Sequence, residues 1–193
     1  MSLRMVRCFV AVFLSPTLRP QVVALQRYLA QSGADVKWVE AENLHFTVKF
    51  LGDVEESRLA ALTTVLEACA GGIGPFELSL GAAGAFPRLQ DPRIIWVGVE
   101  AGKQPFVTLA SAVEEAMKAE GFRREGKGFS PHLTVGRTRS GRNLGVLVER
   151  LLSCAPLKGA MRVDEIQLVA SELTSSGPIY SPVATVSLFR GRT

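Results

Sequence analysis

The sequence predicts an α/β fold of the α+β type, with two lobes in which helices pack outside mostly antiparallel sheets. Three observations carry this expectation. Strand-like and helix-like patterns alternate along the 193 residues. Several neighbouring strands have no helical crossover between them, and such neighbours can only pair antiparallel. Apolar residues make up 47% of the chain and charged residues 21%, a globular composition with no disordered segment. This length suits one compact two-lobed domain spanning residues 1–193.

The elements follow in order. Val6 to Leu14 is rich in strand formers, and Ser15-Pro16 then offers an N-cap and a first-turn proline. Val22, Leu25 and Leu29 recur at helical spacing until Gly33. Val36 to Val39 reads as a short strand and Leu44 to Leu51 as a longer one. Asp53 and Glu56 have the spacing of a capping box for a helix with Leu59, Leu62, Leu66 and Cys69 on its apolar stripe. Gly71-Gly72 ends it, and Phe76, Leu78 and Leu80 then alternate with polar residues as in a half-buried strand. Pro87 to Pro92 reads as a turn into the strand Ile94 to Val99. Phe106, Leu109, Val113 and Met117 mark a third helix, ending at Gly121, and Leu144 to Leu152 a fourth. Leu133 to Val135, Ile166 to Val169 and Tyr180 to Phe189 supply the remaining strands.

Lysine and arginine exceed the acids, for a formal net charge of +4. That surplus suits a polyanion such as RNA, yet many proteins without nucleic acid carry as much. Three cysteines, Cys8, Cys69 and Cys154, lie far apart with no CxxC pair. Neither a disulfide framework nor a zinc site is expected, and a reducing compartment is. The apolar run Cys8 to Leu14 is far shorter than the roughly 18–20 residues of a membrane span. The reading is a cytoplasmic protein with no membrane partner and no cofactor or metal.

Only two histidines occur, and both open the same tetrapeptide: His45-Phe46-Thr47-Val48 and His132-Leu133-Thr134-Val135. With ten threonines in the chain, the chance that both histidines meet one two residues later is about 0.3%, and the shared valine lowers it further. On a strand, residues i and i+2 share a face, so each motif places an imidazole beside a hydroxyl while Phe46, Val48 and Phe50, or Leu133 and Val135, face a core. Two such strands facing one another form a cleft with two histidines and two threonines.

That set suits acid–base chemistry at phosphorus. One imidazole removes a proton from water and the other protonates the departing alkoxide. Thr47 and Thr134 donate hydrogen bonds to the non-bridging oxygens, where charge accumulates. A strained cyclic phosphate diester is the fitting substrate, because ring opening needs little more. Two histidines without a carboxylate or cysteine cluster make a poor metal site, and no G-x-S-x-G elbow is present. The two motifs are locally equivalent, so the residues leave acid and base unassigned.

Longer stretches around these motifs resemble the two-histidine phosphoesterases, in particular the LigT-like RNA 2′,3′-cyclic phosphodiesterases of the ThpR type. The resemblance covers nearly the whole chain. It includes Val6-Arg7-Cys8-Phe9-Val10-Ala11, Trp38-Val39, and Glu42-Asn43-Leu44 ahead of the first motif, which continues as Lys49-Phe50-Leu51-Gly52. Gly84-Ala85-Phe86-Pro87, Phe129-Ser130-Pro131 before the second motif, Gly136-Arg137 after it and Ser171-Glu172-Leu173 complete it. It implies pseudo-twofold symmetry about a central cleft. It also implies metal-independent opening of a 2′,3′-cyclic phosphate to a 2′-phosphomonoester, and the reverse type of transfer, 2′–5′ RNA ligation. By the family pattern His45 is the proton donor and His132 the proton acceptor. The implied partner is RNA with a 2′,3′-cyclic phosphate end, tRNA fragments among such RNAs; with no association surface evident in the sequence, a monomer is expected.

Further substrate contacts rank below the motifs. Lys49 shares the face of His45 and Thr47 on a regular strand and so meets RNA phosphate, or else it is a solvated lysine. Arg137 has the parity of Leu133 and Val135 and reaches the cleft only if the strand bends after Gly136. Phe129 stacks on a base or packs in the core. Arg123, Arg124 and Lys127 form a basic loop that guides RNA or is simply solvated. Two other functions stay open: a non-catalytic RNA-binding protein, and a sibling phosphoesterase acting on a small cyclic nucleotide.

Overall fold

The chain is described from a computed structural model covering residues 4–126, 128–175 and 177–189. Its elements are β1 (Met5–Phe13), α1 (Arg19–Ala30), β2 (Val36–Trp38), β3 (His45–Glu55), α2 (Leu59–Ala70), β4 (Phe76–Arg88), β5 (Asp91–Val99), α3 (Lys103–Ala119), β6 (His132–Thr138), α4 (Leu144–Ser153), β7 (Ala160–Val163), β8 (Glu165–Leu173) and β9 (Pro178–Ser187). No helix among the described residues is long and apolar enough to cross a membrane.

All strand pairs are antiparallel. The order is β7-β4-β5-β6-β3-β1-β8-β9, with β2 also on β6. The two sheets of the sequence reading are two halves of this one sheet. One half is β3-β1-β8-β9, the other β7-β4-β5-β6 with β2, and the single pair Phe46↔Leu133 joins them. By contrast β1 is matched to β3 from Met5 to Phe13. Each half has its own helix pair. α2 and α3 pack together and against β9 and β3, while α1 and α4 pack together and against β6 and β5. The helices bury Val22, Leu25 and Leu29; Leu62 and Leu66; Phe106, Leu109, Val113 and Met117; and Leu147 and Leu151. These are the stripes expected from helical periodicity. Each fully buried Leu or Phe contributes roughly 1.5–3 kcal/mol.

Two helix starts differ from the sequence reading. Ser15-Pro16 lies in a turn, and α1 begins at Arg19 with a proline in its first turn, which is Pro20. Asp53 is not a cap: β3 stays paired to β1 through Glu55, so Asp53 stands opposite Arg7. Glu56 instead ion-pairs with Arg4 at 3.2 Å. The Pro87 to Pro92 turn is shorter than expected, because Pro87↔Pro92 and Arg88↔Asp91 continue the hairpin ladder. Strand β7 was not anticipated; its four residues, paired to β4, are too few to show a period.

Both histidine strands break their alternation at the same point. Opposite β1, Lys49 pairs with Val10 and Thr47 with Ala11, leaving Val48 as an extra residue. Opposite β5, Gly136 pairs with Ile95 and Thr134 with Trp96, leaving Val135 extra. The valine that closes each tetrapeptide is therefore a β-bulge, which reverses the face of the residues that follow it, in β3 until a second register shift at Leu51.

Candidate active site

The Phe46↔Leu133 pair sets the arrangement of both motifs. Antiparallel register about it places His45 beside Thr134 and Thr47 beside His132, all on one face of the sheet. Diagonal Cα positions of the two histidines are then on the order of 8 Å apart. Phe46 and Leu133 are fully buried on the other face, as expected of alternating residues.

The two imidazoles are held in the same way. His45 Nδ1 lies 2.7 Å from the carbonyl oxygen of Asn43, and His132 Nδ1 lies 2.8 Å from that of Ser130. A carbonyl only accepts, so each Nδ1 carries the proton and donates it, and each Nε2 is the nitrogen left for chemistry. On the first side a short 3-10 turn at Ala41–Asn43 precedes the ring, on the second the irregular Ser130-Pro131 segment, and in both the accepting carbonyl is two residues upstream.

Their surroundings differ. His45 sits among Phe9, Phe13 and Tyr180, with ring centroids 4.9, 5.5 and 5.3 Å away, Tyr180 edge-on. That burial pushes the His45 pKa below its ordinary 6.5; the Asn43 carbonyl opposes the shift and Arg137 adds to it. His132 meets Phe86 edge-on at 5.1 Å, and Phe86 stacks at 5.1 Å on Trp96. Gly84 makes room for that indole: a Cβ there would lie 2.5 Å from the ring.

A cavity of about 360 Å³ runs along this face, lined by His45, Thr47, Thr134 and Arg137 together with Arg7, Lys37, Phe50 and Tyr180. His132 is not part of that lining; it stands beyond Thr134, next to Phe86. Arg7, Lys37 and Arg137 face one acid of the lining, Glu40. Lys37 and Arg137 are direct cross-strand partners, which brings two positive side chains to this part of the lining. No cluster of three or more metal-ligating side chains occurs among the described residues.

The bulges sort the remaining candidates. Arg137 is exposed and lines the cavity, because the extra residue is Val135 and the strand turns over before Gly136. Gly136 is needed there, since a Cβ would lie 2.8 Å from Trp38 and Val36. Lys49 goes the other way. Val48 turns it into the protein interior, where it is 1% exposed. Its Nζ donates to both carboxylate oxygens of Glu114, at 3.0 and 2.9 Å, and to the Arg123 carbonyl at 3.0 Å. It is not on the phosphate side, nor is it a solvated lysine. Phe50, expected in the core, takes the cleft face instead and is 58% exposed.

Phe129 is half-buried and packs edge-on against Phe106 at 5.3 Å. It lines a separate hollow with Glu114, Glu115 and Glu125, so it is a core-edge aromatic rather than a stacking platform in the histidine cavity. Arg124 pairs with Glu115 on that side. Arg123 is likewise outside the histidine cavity, and Lys127 lies outside the described residues. The aromatic wall of Phe9, Phe13 and Tyr180 went unread in the sequence because its members come from β1 and β9, at opposite ends of the chain.

The model of the 2′-5′ RNA ligase superfamily matches residues 14–174. The chain is 41% identical over 184 residues to an RNA 2′,3′-cyclic phosphodiesterase of Methanothermobacter thermautotrophicus, covering 95% of this chain and 99% of the relative. Among solved structures, TT0787 of Thermus thermophilus superposes with a TM-score of 0.80 at 27% identity, over 97% of this chain and 100% of that one. Escherichia coli LigT in apo form gives 0.78 at 25% identity, over 97% and 99%. Paired H-x-T motifs on one face of a shared sheet, a match over most of the chain and the same architecture all converge: the chain belongs to the 2′-5′ RNA ligase superfamily.

Proposed function

We propose that this protein is a metal-independent hydrolase that opens RNA 2′,3′-cyclic phosphate termini to 2′-phosphomonoesters. One observation carries the reading: two histidines, each with Nδ1 fixed to a backbone carbonyl two residues upstream, leave two Nε2 atoms for proton transfer on one face with two threonines. The relatives named RNA 2′,3′-cyclic phosphodiesterase support the same substrate.

The cyclic phosphate lies between the motifs, its non-bridging oxygens accepting hydrogen bonds from the Thr47 and Thr134 hydroxyls, with the negative charge near Arg137. A water attacks phosphorus as its proton passes to His132 Nε2. The P–O3′ bond breaks and O3′ takes the proton from His45 Nε2, leaving the phosphate on O2′. The lowered pKa of His45 makes its imidazolium a stronger acid, and the anionic substrate favours that protonated form on binding. A ribose 5′-hydroxyl in place of water turns the same exchange into 2′–5′ joining. RNA ends, tRNA fragments included, are the partner. Residues 1–193 act as one two-lobed phosphoesterase domain, as a monomer in the cytoplasm. A second reading, a small cyclic nucleotide as substrate, is favoured by the cavity of about 360 Å³, which is in the range of small-ligand sites.

The test is incubation in EDTA of a 2′,3′-cyclic-phosphate-ended oligonucleotide, and separately 2′,3′-cyclic AMP, with 2′- and 3′-phosphate products resolved. Clean 2′-phosphate from the oligonucleotide, abolished in His45→Ala and in His132→Ala, is the expected result. Full activity in either variant overturns the mechanism, and turnover of cyclic AMP alone moves the assignment to the second reading. RNA binding without turnover makes the protein a non-catalytic RNA binder.

A further inference from the structure

Gln26 is a buried polar residue in α1, 7% exposed among Val22, Leu25 and Leu29. Its Nε2 donates two hydrogen bonds, to the Val135 carbonyl at 2.9 Å and to the Val39 carbonyl at 2.8 Å. Both partners only accept, so the orientation of the amide is fixed by chemistry. Val135 is the bulged residue of the second motif, and its carbonyl also accepts the Val39 N–H at 3.0 Å. Val39 follows β2, which sets Trp38 against Gly136 and Lys37 opposite Arg137. One side chain therefore fastens the helix, the end of β2 and the bulge where β6 turns over.

We infer that Gln26 is a positioning residue: by holding the Val135 bulge it sets the direction in which Arg137 enters the cleft. Without the bulge, Arg137 returns to the face of Leu133 and leaves the cavity. The Val135 carbonyl takes its ladder bond from the Val39 N–H and a second donor from Gln26, which also donates to the Val39 carbonyl. These paired bonds to one buried amide favour the bulged backbone, which brings both carbonyls within its reach, over the regular one. The first motif shows the same design by other means: Lys49, next to bulged Val48, is fastened to Glu114 of α3. The inference rests on the proposed phosphoesterase reading, because it is expressed through Arg137 and the substrate.

The experiment is a double-variant cycle on the full chain with a 2′,3′-cyclic-phosphate-ended oligonucleotide, at a temperature where circular dichroism shows each variant folded. Gln26→Leu is expected to raise KM about tenfold with kcat within about twofold. In an Arg137→Ala background Gln26→Leu is expected to change neither constant further. Unchanged kinetics in folded Gln26→Leu, or an equal further loss in the Arg137→Ala background, overturns the inference. Should Gln26→Leu fail to fold, Gln26→Glu decides. Its carboxylate cannot donate, but its protonated form donates once, so its KM relative to wild type is expected to fall towards unity as pH drops; a flat ratio overturns the inference. Absence of turnover in the wild-type protein would instead locate the failure in the phosphoesterase reading.

Discussion

Replacing Lys49 separates a structural lysine from a phosphate contact. Its side chain is 0% exposed and that of Glu114 is 18% exposed. All three ammonium protons have acceptors, two on Glu114 and one on the Arg123 carbonyl. Glu114 retains the Glu125 N–H at 3.1 Å when the lysine is removed, and its partial exposure admits water. Lys49→Met should therefore cost about 2–3 kcal/mol, below the roughly 3–5 kcal/mol typical of breaking a buried pair. Glu114→Ala leaves the ammonium sealed from water with one carbonyl, and should reach that full range. In melting temperature this is about 4–12 °C for Lys49→Met and a larger drop for Glu114→Ala. Calorimetry at neutral pH measures both. Turnover by Lys49→Met, assayed well below its transition, should stay within about twofold of wild type, with the same salt dependence. A large loss of turnover with unchanged melting would place Lys49 on the substrate. A Lys49→Met penalty equal to or above that of Glu114→Ala would refute the burial argument.

Two further outcomes follow from the titrating groups. The folded-state pKa of His45 lies below 6.5, so around and below that pH the unfolded chain binds more protons than the folded one. Stability is then fully present above about pH 7 and declines as pH falls through 6.5. Denaturant titrations at pH 7.5 and 5.5 should show the decline in wild type and a smaller one in His45→Gln; equal slopes would contradict it. The Cys8 thiol is raised to about 11, first by burial and then by the charge of Asp53. Only about one part in a thousand is thiolate at pH 8, so mass spectrometry after iodoacetamide should find Cys8 unmodified while the native fold persists. Rapid alkylation of Cys8 in the folded protein would refute this environment.

The helices were legible because their apolar stripes repeat every three to four residues, and α3 and α4 fall where Phe106 to Met117 and Leu144 to Leu152 placed them. The histidine and threonine pairs were legible because i, i+2 neighbours share a face over the three residues before the bulge. Period-two counting failed one residue later. Nothing in Val48 or Val135 marks an extra residue in the ladder, so Lys49, Phe50 and Arg137 were all assigned to the wrong face or left conditional. Gly136 was the one local clue, and its meaning depends on Trp38, which lies on another strand. The aromatic wall of His45 is a tertiary property: Phe9 and Tyr180 touch it from β1 and β9, and no local pattern connects them.

The topology also orders the events of synthesis. The half-sheet carrying His132 has β4, β5, β6 and β7 in hand before β8 is made, so it can assemble from contiguous chain. The half carrying His45 cannot: β1 takes its second neighbour from β8, across pairs such as Cys8↔Ala170, and Tyr180 arrives only with β9. Long-range pairing of this kind is slow, and until it happens the β1 edge stays open to other chains. A nascent chain stopped before β8 would contain both tetrapeptides intact, yet only His132 would have its surroundings complete.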